Sequence, residues 1–212
     1  MYNYPHYKEE DRANLISFMQ AYPFVTLIGA KKDGRIEATQ LPVLVDEREG
    51  RIFITGHIAR KTSHISALED NPQALLIFSG PHTYVSGTWY SGNPQQASTW
   101  NYISVHARGT IRWTDETELI TILKRLTLCF EEGNKASSTI YDNLPETYLA
   151  PLVKAIIGFE LEVSELENVF KLSQNRDEQS YDNIISELIK REGDARIIGE
   201  MMAARKSKVF QS

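Results

Sequence analysis

The run FVTLIGAKKDGRIEATQLPVLV, residues 24–45, contains two apolar segments separated by a sharp polar turn. Phe24 to Ala30 and Arg35 to Val45 each have the length and side-chain content of a β-strand. Asp33-Gly34 between them is a strong hairpin signal, because glycine adopts the positive φ that tight turns need. Pro42 cannot donate a ladder hydrogen bond, so we expect its strand to lie at an edge or to carry a bulge.

Outward from this hairpin the pattern predicts a mainly β protein with helical additions. Further strands are expected at residues 51–58, 74–80, 84–90, 100–113 and 156–165, and an exposed loop at 91–98. Helices are expected from Thr62 or Ser63 to Asn71, from Asp115 to Phe130, and twice in the tail around Gly193. Strands in sequence without regularly alternating helices indicate a β-barrel with an α+β character, not a parallel sheet.

The composition is that of an ordinary globular protein. Of 212 residues, 42% are hydrophobic and 24% charged, and 23 Lys and Arg against 28 Asp and Glu give a net charge of −5. This balance argues against a surface coated with phosphate-binding charge, but it is compatible with a small basic pocket. The length fits one barrel domain, which we assign to residues 1–176, with a helical extension over 177–212 packed on it.

The single cysteine, Cys129, excludes an internal disulfide and any multi-cysteine metal or iron–sulfur site. Its neighbours Leu126, Leu128 and Phe130 predict a buried thiol. The N-terminal run MYNYPHYKEEDR has no basic start and apolar core, and no segment approaches the ~18 apolar residues of a membrane span. We therefore expect a cytoplasmic protein.

The most informative stretch for function is Thr55 to His64, because the sequence lacks the common P-loop, Rossmann, zinc-protease and α/β-hydrolase motifs. Here a strand ends, Arg60 and Lys61 follow, and hydroxyl residues begin a helix. A helix N-terminus beside two cations has the ingredients of a phosphate site, and Gly56 would let a ligand approach the backbone. A solvated basic turn explains the same residues equally well.

Two further stretches carry aromatic and polar side chains. Thr99 to Tyr102 places rings beside an amide, which suits either a planar ligand or the edge of a barrel core. Phe170 to Arg176 can bind a ligand, or it can satisfy its own turn and cap the next helix. Read alone, both stretches favour the structural interpretation. The five histidines show no ligand spacing on a single element, so no metal site is predicted.

Together these stretches resemble the PaiB-type FMN-binding negative transcriptional regulators. The matching strings are collinear over residues 1–188, and several rare strings in order are more specific than any one of them. They are YPFVTL at 22–27, LP at 41–42, GHIAR at 56–60, FSGPHTYVS at 78–86, WY at 89–90, TWNY at 99–102, VH at 105–106, IGFE at 157–160 and KLSQNR at 171–176.

The resemblance implies a split β-barrel related to the pyridoxamine-phosphate-oxidase-like FMN-binding proteins. It also implies a homodimer that holds FMN in a groove at the dimer interface. The residues that it assigns to the flavin phosphate are Arg60 and Lys61, together with Thr62 or Ser63. Lys61 stands where the family has an apolar residue, and it adds positive charge.

Four further groups of residues follow from the resemblance as the lining of the flavin site. Two strand segments would line the flavin: Thr39, Gln40 and Leu41 in one, and His57, Ile58 and Ala59 in the other. Trp100, Asn101 and Tyr102 would lie near the ring system. The pocket would be completed, from this subunit or its partner, by Lys171, Ser173, Gln174, Asn175 and Arg176.

The function implied is that of a regulatory FMN-binding protein, and two alternatives use the same scaffold. A flavin-dependent oxidoreductase would draw its redox chemistry from FMN, with His57 and His106 as candidate side chains. A haem-handling split barrel would need His64 or His82 as an axial ligand. Direct DNA binding is implied by the resemblance but not supported by charge: residues 171–212 hold eight Lys and Arg and seven Asp and Glu, a net of +1, which leaves −6 for the remainder.

Overall fold

The computed structural model describes residues 1–92 and 95–210. Asn93 and Pro94 of the predicted loop, and the last two residues of the predicted extension, lie outside the described part. The strands of this part are β1 (Phe24–Ala30), β2 (Ile36–Arg48), β3 (Arg51–Ala59), β4 (Gln73–Val85), β5 (Thr99–Trp113) and β6 (Ile156–Lys171). Its α-helices are α1 (Arg12–Ala21), α2 (Ser63–Asp70), α3 (Glu116–Phe130), α4 (Glu146–Ala155), α5 (Glu178–Ile189) and α6 (Asp194–Phe210).

The strands close into a barrel in the order β1-β2-β3-β6-β5-β4, which confirms the predicted class. The β1–β2 hairpin is antiparallel from Phe24↔Pro42 to Ala30↔Ile36. Its turn contains Gly34 at φ +89°, a conformation that the Asp-Gly signal predicts.

A seam opens between β2 and β3. Their ladder runs from Arg48↔Arg51 to Val43↔Gly56. Beyond it β2 pairs with β1, while His57 to Ala59 pair with β6. Pro42 is the first residue of β2 past the end of this ladder, where its missing N–H costs no bond to β3, as expected for a proline at an unpaired edge.

The strongest local patterns predict their elements closely. In β5, alternate residues from Val105 to Ile111 are buried, and Arg108, Thr110 and Arg112 are exposed. Asp115 caps α3 in a capping box with Glu118, in which each side chain binds the other residue's backbone N–H.

Other elements differ from the sequence prediction. The prediction of a strand at 84–90 is wrong beyond Val85. There β4 ends, and Gly87–Trp89 forms a 3₁₀ turn. A Cβ on Gly87 would lie 2.2 Å from the Gln96 carbonyl oxygen, so this turn depends on a close backbone contact. The pattern did not predict α1 or α4, and Pro151 inside α4 interrupts its helical signal.

The predicted burial of Cys129 is also wrong, because this residue is exposed. Leu119, Ile122 and Leu126 form the buried face of α3, but its last turn extends past the core. Cys129 there lines an open, largely apolar groove with residues of β2.

Contacts divide the chain into two compact units. The terminal unit comprises residues 1–15, 79–105 and 167–212, and the barrel unit comprises 16–78 and 106–166. The predicted boundary between 1–176 and 177–212 stays a prediction. Within the terminal unit α5 packs against α6, where the Tyr181 hydroxyl donates to the Met202 carbonyl at 3.0 Å and both side chains are fully buried.

The buried carboxylate of Glu9 anchors the N-terminal segment within the terminal unit. Glu9 is 2% exposed and accepts bonds from the Asp11 N–H and from Arg205 and Lys208 of α6. The backbone N–H of Glu9 donates to the Asn168 side chain at 2.8 Å, and that side chain donates back to the Glu9 carbonyl at 3.1 Å. These bonds tie the first residues of the chain to the end of β6 and to α6. Within the described residues, no helix has the length and apolar character to cross a membrane.

Candidate functional site

The turn between β3 and α2 presents two cations without partners. Arg60 and Lys61 are exposed, and among the described residues neither side chain forms an ion pair or a hydrogen bond. The Arg60 backbone N–H donates to the Ala155 carbonyl at 3.0 Å, which fixes the turn to the end of α4. Because the first N–H groups of a helix have no intrahelical acceptors, the start of α2 adds further donors. The turn therefore has the donor set of an oxyanion site.

The two hydroxyls predicted beside these cations are already in use. The Thr62 hydroxyl donates to the Ala59 carbonyl at 3.2 Å and accepts from the Ile65 N–H at 3.4 Å, so Thr62 is the helix cap that the sequence predicts. The Ser63 hydroxyl donates to Glu37 Oε2 at 2.8 Å. The cations and the backbone therefore supply the uncommitted donors of this turn.

The predicted flavin-lining strands flank the seam. On β2, Thr39 is half-buried, Gln40 is exposed and Leu41 is buried. On β3, Ile58 is buried and Ala59 is exposed. The buried side chains pack in the core, so these segments offer a ligand mainly their backbone and their outward-facing side chains.

His57 carries an unsatisfied polar atom on this seam. The residue is half-buried, and its Nδ1 is buried without a partner among the described residues. Burial lowers the pKa of the His57 imidazole, so the ring is neutral at pH 7. A neutral imidazole with an unpartnered nitrogen can bond a polar group at the edge of a flavin ring. Arg60 and Lys61, which follow His57 closely in the chain, can bind the flavin phosphate. These residues of the barrel unit therefore fit FMN chemically.

The packing around position 56 explains why a glycine is needed there. A Cβ there would lie 2.9 Å from the Phe159 ring and 3.2 Å from the Pro42 carbonyl oxygen. The glycine therefore allows close packing of β3 against β6 and β2, where the sequence suggested the approach of a ligand.

In the terminal unit, Trp100 and Tyr102 present aromatic surface, whereas Asn101 does not. Trp100 is 54% exposed, and its ring centroid lies 6.0 Å from Tyr84 and 6.2 Å from His82. Tyr102 is half-buried, and burial raises the pKa of its hydroxyl. Asn101 is fully buried and accepts a bond from the Ser173 hydroxyl at 3.0 Å, so its amide serves the fold.

The polar segment Lys171 to Arg176 is also bonded largely within the terminal unit. Lys171 Nζ donates to the Thr99 hydroxyl and to the Trp100 carbonyl. The Gln174 amide bonds the backbone of Phe170 and Leu172, which closes the turn locally. Asn175 is exposed, and Asp177 caps α5 by accepting from the Ser180 N–H. Much of this segment therefore has the turn-forming role that the local sequence favoured.

Sequence reasoning missed two residues beside these groups. Glu37 holds the Ser63 hydroxyl, and its carboxylate also lies 3.0 Å from Arg35 Nε. Tyr90 has a buried hydroxyl with no partner among the described residues, and the Arg176 guanidinium lies 3.9 Å above its ring. Neither contact has a local sequence signal, because the Ser63–Glu37 and Arg176–Tyr90 pairs are distant in the chain.

The histidines considered for haem differ in their surroundings. His64 is 4% exposed, and its ring lies against β1, where Nε2 would be 3.3 Å from a Cβ on Gly29. His82 is exposed, and its Nδ1 lies 3.4 Å from the Asp194 carboxylate. The packing around His64 closes off its ring, which disfavours it as an axial ligand.

Comparison with known proteins gives one family and a consistent fold. Residues 1–165 match the family model described as "Putative FMN-binding domain". The chain is 31% identical over 205 residues to "Protease synthase and sporulation protein PAI 2" of Bacillus subtilis (strain 168), covering 95% of this chain and 96% of that protein.

Two solved structures show a similar fold at low identity. The flavocytochrome Anf3 from Azotobacter vinelandii has a TM-score of 0.54 and 19% identity, covering 76% of this chain and 68% of that chain. The FAD and haem binding protein from Mycobacterium smegmatis has a TM-score of 0.52 and 15% identity, covering 77% and 72%. The family match and the near full-length identity confirm the resemblance, and the chain belongs to the PaiB-type FMN-binding family, with a split-barrel fold and FMN as its cofactor.

Proposed function

We propose that the protein is a homodimeric regulatory protein that binds FMN through a phosphate site at Arg60 and Lys61. The observation that carries this proposal is the pair of exposed cations, free of partners in the described residues, at the N-terminus of α2. Positive charge left unpaired on a turn that the backbone holds in place is suited to a dianionic phosphate. The match of residues 1–165 to an FMN-binding domain supports the same ligand.

The seam beside this turn is the proposed seat of the flavin itself. Thr39 to Leu41 and His57 to Ala59 follow two strands that keep different partners beyond Val43↔Gly56. FMN supplies the redox chemistry when it is bound. His57 contributes a neutral imidazole whose Nδ1, without a partner in the described part of the chain, can bind a polar group of the flavin ring.

Five residues of the terminal unit keep, as a proposal, the flavin-site role that the resemblance gives them: Trp100, Tyr102, Lys171, Asn175 and Arg176. Trp100 and Tyr102 have ring surface available for a planar group. Asn101, Ser173 and Gln174 support the local fold through the bonds described above. A homodimer with FMN at its interface is likewise proposed on the family resemblance.

The regulatory role is proposed on the resemblance to the FMN-binding negative transcriptional regulators, and the identity to the Bacillus protein along nearly the whole chain supports membership of that family. We propose that regulation proceeds without direct DNA contact, because residues 171–212 carry a net charge of only +1 and the remainder −6. A cytoplasmic location is part of the same proposal.

Titration of the purified full-length protein with FMN and with riboflavin tests the proposal. We expect FMN to bind at least about 100-fold more tightly than riboflavin, because riboflavin lacks the phosphate and its charge-assisted bonds. Equal affinities would contradict the phosphate site.

Sedimentation with and without FMN tests the dimer, and a monomer that still binds FMN would contradict the interface proposal. Rapid bleaching of the bound flavin by NADH or NADPH would favour an oxidoreductase over a regulator. Site-specific retention of DNA at physiological salt would contradict regulation without DNA contact.

A further inference from the structure

The outward side of the sheet formed by β4, β1 and β2 is an uncharged face. Residues opposite each other on adjacent antiparallel strands share a face, and two ladders align these three strands. The side chains of the uncharged face are Phe24, Thr26, Ile28 and Ala30 of β1, Ile36, Ala38, Gln40 and Pro42 of β2, and Leu75 and Ile77 of β4. Apart from one threonine and one glutamine, all of these side chains are apolar.

The uncharged face is open to solvent in the described chain. The alternate residues Val25, Leu27 and Leu76 are buried in the barrel core, so the side chains of the uncharged face point the other way. Phe24 is 64% exposed and Ile36 is 68% exposed. The solvent side of an antiparallel sheet ordinarily carries polar side chains, and a contiguous exposed apolar patch marks an interaction site.

A second outward side of the same barrel unit carries paired charges. There Glu160 of β6 pairs with Arg48 and Arg112, and Glu162 pairs with Arg51. Such ion pairs are at home in water, and removing them from it would carry a desolvation penalty. The uncharged face carries no such penalty, so it is the side of the barrel that a partner can cover at low cost.

The size of the uncharged face suits the core of a protein interface. Three strands spaced about 4.8 Å apart, and a β1 of 7 residues that rises about 3.4 Å per residue, give a patch of roughly 300–350 Å². A standard interface buries about 800 Å² on each partner and surrounds an apolar core with a polar rim. The uncharged face therefore has the extent of such a core, and the residues around it would form the rim.

The composition of the face favours a second copy of this chain as the partner. A nucleic acid would need cations here, and a strongly charged protein would need the opposite charge. A two-fold dimer brings a patch against the same patch of its partner, so a face without charge meets no like charge. Gln40 also lies within the segment proposed to line the flavin, so a copy docked on this face would border the seam.

We infer that two copies of the chain pair through the uncharged face, with Ile28 and Ala38 near the centre of the apolar core. This inference rests on the proposed homodimer and assigns the surface that forms it. The row from Leu75 through Ile28 to Ala38 crosses all three strands, so a charge placed in this row would lie inside the interface.

Sedimentation equilibrium of the full-length protein over a series of concentrations tests this surface. Ala38→Lys places a charge opposite Ile28, at a position that is exposed in the single chain and can therefore accept a lysine. Each dimer would then bury two lysines without partners, so we expect its dissociation constant to rise at least about 100-fold. Ile36→Lys is a second variant of the same face, and we expect a rise of at least about tenfold.

Ser164→Lys is the matched control. Ser164 is exposed on β6 two residues after Glu162, so it shares the charged side of the barrel. We expect this variant to dimerise as tightly as the wild type. Far-UV circular dichroism and thermal unfolding establish that all three variants are folded.

A wild-type protein that stays monomeric throughout the concentration series would overturn the inference and leave the face to a different partner. Folded Ala38→Lys and Ile36→Lys variants that dimerise as tightly as the wild type would overturn it too, as would a Ser164→Lys variant that dissociates equally.

FMN titration of the same samples separates this inference from the proposed function. A dimer that the lysines dissociate but that binds no FMN would contradict the proposed function and leave the surface standing. FMN binding by a dimer that is insensitive to the lysines would contradict the assigned surface alone.

Discussion

The turn at residues 60–63 and the segment at residues 171–176 are both polar and basic, and both follow a strand and precede a helix. They use their side chains differently. The side chains of Arg60 and Lys61 are exposed and bonded to none of the described residues, whereas the Lys171 side chain is bonded to two oxygens of β5. The Ser173 hydroxyl likewise serves a buried amide of β5.

This difference distinguishes polar segments that bind a ligand from polar segments that stabilise the fold. Side chains that are free in the folded chain are available to a ligand, so replacing them should change binding and leave stability intact. Side chains that are already bonded hold the fold, so replacing them should change stability first. The predictions below test this separation.

The largest effect is expected for Arg60→Ala combined with Lys61→Ala. Each charge-assisted bond to a phosphate contributes about 1.5–3 kcal/mol, so FMN affinity should fall at least about 100-fold. The melting temperature should stay within about 2 °C of the wild type, because neither side chain has a bonding partner to lose among the residues that the structure describes. Flavin fluorescence titration and thermal unfolding measure the two quantities. A large loss of stability with unchanged FMN affinity would reverse the assignment.

Glu9→Gln should act on stability alone. The carboxylate is buried and bonded by Arg205, Lys208 and the Asp11 N–H, so loss of its charge should reduce the free energy of unfolding by about 2–3 kcal/mol. Urea unfolding measures this value. Glu10→Gln, at an exposed neighbouring position, is the matched control and should change stability by less than about 0.5 kcal/mol.

The same carboxylate predicts a pH dependence. Burial alone would raise the pKa of Glu9, but the Asp11 N–H bond and the charges of Arg205 and Lys208 lower it below the ordinary 4.5. A carboxyl with a lowered folded-state pKa stabilises the fold above its unfolded pKa, and this stabilisation disappears as the pH falls through the folded pKa. The stability difference between wild type and Glu9→Gln should therefore be constant near neutral pH and shrink below about pH 4.5. A difference that does not shrink as the pH falls below about 4.5 would contradict this origin.

Asn101→Ala should lower the free energy of unfolding by about 1–3 kcal/mol, because it leaves the buried Ser173 hydroxyl without its acceptor. Ser173→Ala combined with it should cost less than the sum of the two single changes, since both remove one bond. A double-mutant cycle in urea measures this coupling. Additive effects on the free energy of unfolding, together with a loss of FMN affinity, would show that Asn101 binds the ligand and does not mainly stabilise the fold.

The smallest effect is expected for Ser63→Ala. The Ser63 hydroxyl donates to Glu37, so it is not free to donate to a phosphate, and FMN affinity should change less than about threefold. A loss of tenfold or more would show that Ser63 leaves Glu37 when FMN binds. Glu37→Gln with Ser63 intact is the companion variant, and it would then raise FMN affinity because it weakens the bond that the Ser63 hydroxyl must give up.

The sequence predicted those parts of the molecule that depend on local patterns. The bounds of β1 follow from an apolar run ended by a turn, and the start of α3 follows from Asp115 and Glu118 three residues later. The exposed pair Arg60 and Lys61 is a local feature of the same kind.

The parts that were missed depend on distant contacts. The bonds of Lys171, Ser173 and Arg176 reach residues 71 to 80 positions away, so no local pattern separates them from free side chains. Helix α4 could not be predicted for another reason. Pro151 interrupts the helical sequence pattern, although the residues around it still form the helix.

The seam between β2 and β3 has a consequence for how the family can change. Past Val43↔Gly56, each strand keeps one ladder partner and turns its other backbone edge toward the gap. Peptide groups are the same whatever side chain they carry, so recognition through such an edge is insensitive to substitution. A site that binds its cofactor through main-chain atoms would tolerate substitutions at positions such as Gln40. Selection would then act on the distance between the two strands more than on their side chains.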